Sequence, residues 1–524
     1  METPEKTPLM AQARQQFLDL FRWKQRVSII DENGNEKIEY QSPVVPTNPV
    51  TLLWQLTAKQ WLFYWTGFFC WFGDAFDFHA LSIQTSKLSA FYGVTKSDVS
   101  TAITLTLLLR SVGAVFFGIA GDYFGRKYPM VLNMFLLGAL QIGSIYATTF
   151  NQFLATRALF GIAMGGVFGN AAAMALENVP AEARGILSGI FQSGYSFGYV
   201  IAACVNLGVG GAPDSWRTAF WVGAGLSFSG GILRLLFPES KQFIEKKKSG
   251  NKGGATNAFL REFKKMIKKE WQRVLYTIVL MAIFNFYSHT TQDSYTTFLL
   301  TQKRMNNSLA SKASILMKTG ACVGGTTVGW ASQFFGRRRS IAVCGILCCC
   351  IIPAWVLPDS FGALATGGFI LQFFVQGAWG VIPIHLSELS PPAFRASFPG
   401  LTYQLGNMIS SPAAQIVNEI SERTTVFDVG ARRQAYGPTM AIATAIISLL
   451  LTFWISIGPE RKGSHFETVA AAGAEVNLGE QQHKHENTAD SPAEDQSALE
   501  KSSLHGSSED EKKDDGLQTQ TKDV

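Results

Sequence analysis

Charge is scarce in this sequence. Asp, Glu, Lys and Arg supply 16% of its 524 residues, where an ordinary soluble domain carries roughly a quarter. With 47% hydrophobic residues, 12% aromatics and 49 glycines, the balance argues against a soluble protein and fits a helical membrane protein. Cysteine is sparse as well: Cys70, Cys204, Cys322, Cys344, Cys348, Cys349 and Cys350 all lie inside apolar stretches. They offer neither metal-ligand spacing nor an extracellular disulfide pair, so they read as small apolar packing residues. No Gly-x-Ser-x-Gly elbow or phosphate-binding glycine loop stands in a soluble segment. That argues against an enzyme and leaves no metal and no cofactor to expect. The opening Met1-Glu2-Thr3-Pro4-Glu5-Lys6-Thr7 has no apolar core, so a cleaved signal peptide is not expected.

Long apolar stretches stand in place of charge, near 61–83, 99–121, 128–149, 152–178, 185–209, 218–237, 272–300, 311–335, 340–358, 361–387, 396–420 and 436–457. Most reach the roughly 20 residues that a spanning helix needs, and 340–358 is the shortest. The net charge of +6 is no nucleic-acid signature, because the basic residues fall between the stretches. Arg126-Lys127, Arg184, the run from Lys241 to Arg273, Arg337-Arg338-Arg339 and Arg395 follow alternate spans, as the positive-inside rule expects of one common side. Both termini are then expected in the cytoplasm and the protein in the plasma membrane. Lys303 and Arg304 break the pattern on the opposite side.

The expected organisation is an all-α membrane protein of about twelve spans. Residues 1–58 form a cytoplasmic lead-in, 59–237 an N-terminal six-helix half, 238–271 a basic linker, 272–462 a C-terminal half and 463–524 a tail. The tail is rich in Glu, Asp, Ser, Lys and Gln, a disordered composition. Its lysines and serines would suit ubiquitin-dependent turnover machinery as a partner, against the simpler reading of a solvated tail.

The two halves repeat. Gly118-Ile119-Ala120-Gly121-Asp122-Tyr123-Phe124-Gly125-Arg126-Lys127 is echoed 211 residues later by Gly329-Trp330-Ala331-Ser332-Gln333-Phe334-Phe335-Gly336-Arg337-Arg338. Glu177 and Arg184 are matched by Glu388 and Arg395 at the same offset, and Asp74 and Asp77 by Asn285 and Ser288. Each half ends alike, in Pro238-Glu239-Ser240-Lys241 and Pro459-Glu460-Arg461-Lys462. Parallel six-helix repeats place a substrate site between the halves, near the membrane midplane.

The seventh stretch carries the strongest functional signal. At about 100° per residue, Asn285, Ser288, His289, Gln292, Asp293 and Thr296 share one helix face. An ionisable residue in hydrocarbon costs about 2.5–3.5 kcal/mol on insertion scales, so such a stripe lines a polar path. The pattern Asn-x-x-Ser-His-x-Thr-Gln-Asp-x-x-x-Thr over residues 285–297 resembles the signature of the fungal lactate permease family of proton–monocarboxylate symporters. The form Gly118, Asp122, Gly125, Arg126, Lys127 resembles the loop motif of the major facilitator superfamily. Bacterial sialate:proton symporters share the general framework. The resemblance covers about 61–462 and implies the major facilitator fold, with the seventh-span stripe engaged in substrate recognition and translocation.

Candidate roles follow from chemistry and resemblance together. An organic anion needs a buried cation, and Arg110, well inside the second stretch, offers a bidentate fork that stays charged. The permease family has an arginine at the matching position that is implicated in holding the carboxylate; a structural tie to Asp74 or Asp77 is the alternative. Asn285, Ser288 and Gln292 are candidates to hydrogen-bond the substrate, and Gln404 joins them because the family has a functional glutamine in its neighbourhood. An imidazole titrates near 6.5 in water, so His289 with Asp293, one turn on, is the candidate proton relay. Asp77 is the other candidate, while His79 is expected to point elsewhere, near the outer end. Asp122, Arg126, Glu177 and Arg184, with Glu388 and Arg395 in the second half, are the expected gating charges. The expected function is proton-coupled import of short monocarboxylates, with lactate, pyruvate, acetate and propionate as candidates. A dicarboxylate or sialic acid symporter, a sugar transporter and a transporter-like nutrient sensor are the alternatives.

Overall fold

The computed structural model describes residues 9–30, 36–43, 47–177, 179–209, 213–239, 261, 264–391, 394 and 396–462. Most of the expected linker and the whole expected tail lie outside the described residues. The chain opens with α1 (Leu9–Phe21), an antiparallel hairpin of β1 (Gln25–Ile30) and β2 (Glu36–Gln41), and the short α2 (Pro49–Trp54). The first half comprises α3 (Ala58–Ile83), the connector α4 (Thr85–Tyr92), α5 (Lys96–Phe124) and α6 (Lys127–Ile145), then α7 (Phe150–Gly165), α8 (Val167–Glu177), α9 (Arg184–Val209) and α10 (Trp216–Leu236). The second half comprises α11 (Trp271–Gln292), α12 (Tyr295–Thr301), α13 (Asn307–Phe335), α14 (Arg337–Val356) and α15 (Phe361–Leu389). It continues with α16 (Ser397–Ser410), α17 (Ala413–Arg423), a hairpin of β3 (Thr425–Asp428) and β4 (Ala431–Gln434), and α18 (Tyr436–Ile457).

Every expected apolar stretch is helical. Among the described residues eight helices are both long and apolar enough to cross a membrane: Asp98–Phe124, Lys127–Ile145, Phe150–Glu177, Trp216–Leu236, Trp271–Thr301, Arg337–Val356, Phe361–Leu389 and Tyr436–Ile457. The other four stretches fall on α3, α9, α13 and α16–α17, which carry buried polar side chains such as Asp74, Gln192, Lys318 and Asn407. Polarity directed inward, not shortness, separates α3, α9 and α13 from the eight. Thr57 with Gln60, Thr95 with Asp98 and Thr149 with Gln152 close capping boxes that start α3, α5 and α7, each satisfying backbone donors that a helix start leaves free.

The repeat read from the sequence is a repeat of packing. In the first half α3 packs on α9, α5 on α7 and α6 on α10; in the second α11 packs on α16, α13 on α15 and α14 on α18. The halves meet where α9 crosses α13 and α5 crosses α16. The first crossing is close because glycines face each other: a Cβ on Gly189 would stand 2.3 Å from the Gly325 carbonyl oxygen. Gly125 and Gly336, matched in the sequence repeat, share φ values of 91° and 92°, a backbone region that side chains rarely adopt. The helices that follow them also start alike. Glu239 accepts from the Lys127 amide at 2.8 Å, and Glu460 from the Arg337 amide at 2.7 Å, so the repeated Pro-Glu ends supply carboxylates to helix N-termini.

Two segments do more than connect. The N-terminal helix and hairpin cap the end of the second half: Arg338 donates to the Gln16 carbonyl at 2.8 Å, Arg339 to that of Asp19 at 3.0 Å, and Lys462 to Gln25 Oε1 at 2.6 Å. The arginine cluster thus meets backbone oxygens of the chain's own first residues. Lys303, which broke the charge pattern, is buried and bridges Asp359 at 2.6 Å and Asp428 at 3.1 Å, so its charge is offset locally. Burial alone would raise the Asp428 carboxyl. Hydrogen bonds from Gln302 and Lys303, with the Lys303 charge, more than offset that and hold it below the usual carboxylate range. This clip therefore stabilises the fold above the ordinary carboxylate pKa and is lost as pH falls through the lowered folded value. Replacing Lys303 by Ala should cost about 1.5–3 kcal/mol, seen as a lower Tm of detergent-solubilised protein, and Asp428→Asn should add little on top of it.

Candidate functional site

A small polar cavity lies at the seam between the halves. The first half contributes Leu107 and Arg110 from α5 and Gln192 and Tyr195 from α9. The second contributes Asn285, Ser288, His289 and Gln292 from α11, Gln376 and Trp379 from α15, and Tyr403 and Asn407 from α16. Four residues of the seventh-stretch stripe thus face this cavity, and Thr296 instead meets Ser314 at 2.9 Å. Asn285 donates to the Met281 carbonyl at 2.8 Å, and Gln292 to Ser288 Oγ at 3.0 Å. His289 Nδ1 lies 2.8 Å from Asp293 Oδ2. Asp293 itself is outside the lining, at the break between α11 and α12, and its side chain is 34% exposed. Thr291 turns away from the cavity and accepts from Gln372 at 3.0 Å.

Arg110 is buried, with Phe78 under its guanidinium at 5.0 Å and Asp74 Oδ2 at 4.0 Å. Its counter-charge is therefore at the outer limit of an ion pair. Asp77, three residues beyond Asp74, is turned off the cavity into a separate buried cluster. There it accepts from Gln141 at 3.2 Å and Ser227 at 2.9 Å, while Arg157 donates to the same Gln141 at 2.6 Å. Gln404 also misses the lining: its Oε1 accepts from Asn407 at 3.0 Å, and Asn407 with Tyr403 reaches the cavity instead. His79 does not point away as expected. Its ring packs on Tyr195 at 4.7 Å and on Tyr199 at 5.1 Å.

Lys318 on α13 escaped the sequence reading. It is buried, donates to Gln292 Oε1 and stands 4.9 Å over the Tyr199 ring. A lysine deep in a glycine-rich stretch, a turn and a half beyond Lys312 at its margin, was signal enough to find it. Gln192, Gln376 and Asn407 left no such mark, because single amides in different helices share no spacing.

The expected gating charges gather at one end. Asp122 accepts from the amides of Ala396 at 3.2 Å and Ser397 at 2.9 Å, so a carboxylate of the first half sits on the N-terminus of α16 in the second. Arg126 pairs with Glu177 and stands 3.9 Å from Asp122. Their counterparts pair in the same way, Arg337 with Glu388 at 3.0 Å. Arg184 is buried at the start of α9, and Arg395 lies outside the described residues. Ser188 adds a second link. Pro383 stands inside α15 with no amide hydrogen to give, and the Ser188 hydroxyl enters the ladder beside it, donating to the Gly380 carbonyl at 2.8 Å and accepting from the Ile384 amide at 3.1 Å. Tyr403 stacks on Phe168 at 4.2 Å across the seam, between the cavity and this end.

Two pseudo-repeated helical halves with a polar cavity on their shared axis are the architecture of a membrane carrier. Residues 63–326 match the model of the Major Facilitator Superfamily, and 275–461 that of the sugar (and other) transporters. The carboxylic acid transporter protein homolog of Saccharomyces cerevisiae is 31% identical over 434 residues, which cover 79% of this chain and 70% of that one. The probable 4-methylmuconolactone transporter of Cupriavidus pinatubonensis is 23% identical over 78% of this chain and 93% of its own. Among solved structures, the proton:xylose symporter XylE of E. coli has the same fold, with a TM-score of 0.62 at 15% identity over 78% of this chain and 97% of its own. The chain belongs to the Major Facilitator Superfamily, and it is a transporter and not an enzyme.

Asp122→Asn should loosen the contact with α16 by about 1 kcal/mol, the usual worth of a charge at a helix end. A cysteine placed at Asn407, in a background stripped of other reactive thiols, should then react severalfold faster with an impermeant reagent supplied from the Asp122 side. An unchanged rate would mean that other contacts hold this end shut.

Proposed function

We propose that this transporter is a proton-coupled symporter of short monocarboxylates, with lactate and pyruvate as its main substrates and acetate and propionate as smaller ones. One observation carries the reading: a buried arginine and a histidine tied to a part-exposed carboxylate line the same cavity between the halves. The seventh-stretch pattern and the yeast carboxylic acid transporter homolog support it.

In the empty carrier Asp74 balances Arg110 from 4.0 Å. A substrate carboxylate offers two oxygens in the plane of the guanidinium and makes the better partner. Asn285, Ser288 and Gln292 then hydrogen-bond the remainder of the acid, while Gln404 steadies Asn407 at the opposite wall. Asp293 takes a proton from the aqueous side and hands it to His289 across their 2.8 Å contact. Substrate and proton together add no net charge, so the loaded site can reorient without moving a bare ion through hydrocarbon. Reorientation breaks the contacts of Asp122 with α16 and of Ser188 with α15, opening the end that Tyr403 and Phe168 now close. Asp77, in its cluster with Gln141 and Arg157, is the second proton site to weigh. The Asp122 end faces the cytoplasm in this reading, with both termini on that side and the protein in the plasma membrane.

Labelled lactate uptake in cells lacking their own permeases, with and without a protonophore, tests this. Arg110→Lys keeps the charge but loses the fork, and kcat/KM for lactate should fall about tenfold or more. His289→Ala should remove the stimulation of uptake seen on going from about pH 7.5 to about pH 5. Acid stimulation that survives in His289→Ala would move proton coupling to Asp293 or Asp77.

A further inference from the structure

Lys318 is 2% exposed, and a charged side chain at such a depth normally has a charged partner or a task. Among the described residues no carboxylate comes within ion-pair distance of its ammonium. Its hydrogen-bond partner is the neutral Oε1 of Gln292, and the Tyr199 ring lies 4.9 Å away. Asp293 acts on Lys318 from farther off, but that carboxylate is already engaged by His289 at 2.8 Å.

Arg110 and Lys318 also stand at nearly equivalent places. α5 and α13 are matched by the 211-residue offset, and Lys318 follows Arg110 by 208 residues, about one helical turn out of register. The two cations therefore approach the seam from opposite halves. They border one site: Gln292, which Lys318 holds from behind, lines the cavity that Arg110 lines.

We propose that Lys318 forms a second anion subsite, so that a short dicarboxylate bridges Arg110 of the first half and Lys318 of the second. This rests on the preceding reading that the cavity takes organic acids. One carboxylate occupies the guanidinium fork. The other displaces Gln292 from the ammonium, and the released amide and the Ser288 hydroxyl remain to hydrogen-bond its second oxygen. A monocarboxylate leaves Lys318 on Gln292 and gains nothing there. A bridging ligand touches both halves at once and so favours the state in which they close around it.

The wild-type carrier supplies the first test, with labelled lactate uptake competed by butyrate and succinate, two acids of equal carbon number. Succinate should compete about tenfold better, the worth of one added charge-assisted contact at 1.4 kcal/mol per decade. Equal competition would overturn the second subsite while leaving organic-acid transport intact. Absence of lactate and succinate uptake alike, with the protein confirmed at the cell surface, would overturn the organic-acid reading and the subsite with it. In Lys318→Met the succinate-to-lactate ratio of kcat/KM should fall about tenfold, and Lys318→Arg should restore most of it. A ratio unchanged in Lys318→Met, with both rates reduced together, would make Lys318 a support for Gln292 and sink the proposal.

Discussion

A charge buried in a membrane protein must find compensation inside the protein, and the seam of this carrier is organised by that requirement. Arg110 has Asp74 at the edge of ion-pair range, Lys318 has an amide and an aromatic ring, and His289 has Asp293. The first two fall short of a close ion pair, and the third is a close contact with a carboxylate that is itself part-exposed. Each leaves hydrogen-bonding capacity to spare, which a polar ligand can use. The Asp77 cluster is different: its carboxylate is held by two side-chain donors, a satisfied network inside one half and off the cavity.

The same constraint operates at the end of the bundle, with the opposite result. There five carboxylates meet donors: Asp122 the amides that open α16, Glu177 and Glu388 their arginines, Glu239 and Glu460 the amides of α6 and α14. Ser188 repairs the ladder that Pro383 opens in the other half. Of these, the Asp122 and Ser188 contacts cross the seam and exist only while the halves are close, and the others tie helices within one half. A carrier that alternates between two states needs one end well paired and a centre less so. This chain divides its polar groups in that way.

Much of this was legible beforehand, for identifiable reasons. Twelve apolar stretches became helices because the interior of a bilayer leaves the backbone no other partner than itself. The loop motif and its echo became matched turns because glycine alone tolerates the φ near 90° at Gly125 and Gly336. The stripe from Asn285 to Gln292 faces one cavity because a single helix carries it, and the periodicity of one helix can be read from spacing. Asp74 and Asp77 look equivalent by the same logic, yet a 300° advance over three residues sends one to Arg110 and the other to Gln141. His79 and Gln404 were misplaced for a related reason, since which neighbour a face meets is not written in the face.

The sequence by itself determined what kind of segment each stretch is, that there are two copies of a six-helix unit, and that one helix carries a polar stripe. Those are local properties, set by side-chain polarity and helical period. Only the tertiary structure decided that Arg110, Lys318, Gln376, Trp379 and Asn407 converge with that stripe, that Asp122 caps a helix 274 residues away from it, and that the first residues of the chain cover the arginines of the second half. Such meetings depend on how the repeated units cross, and the crossing is governed by close approach at glycines such as Gly189 and Gly325, whose contact joins segments far apart in the chain.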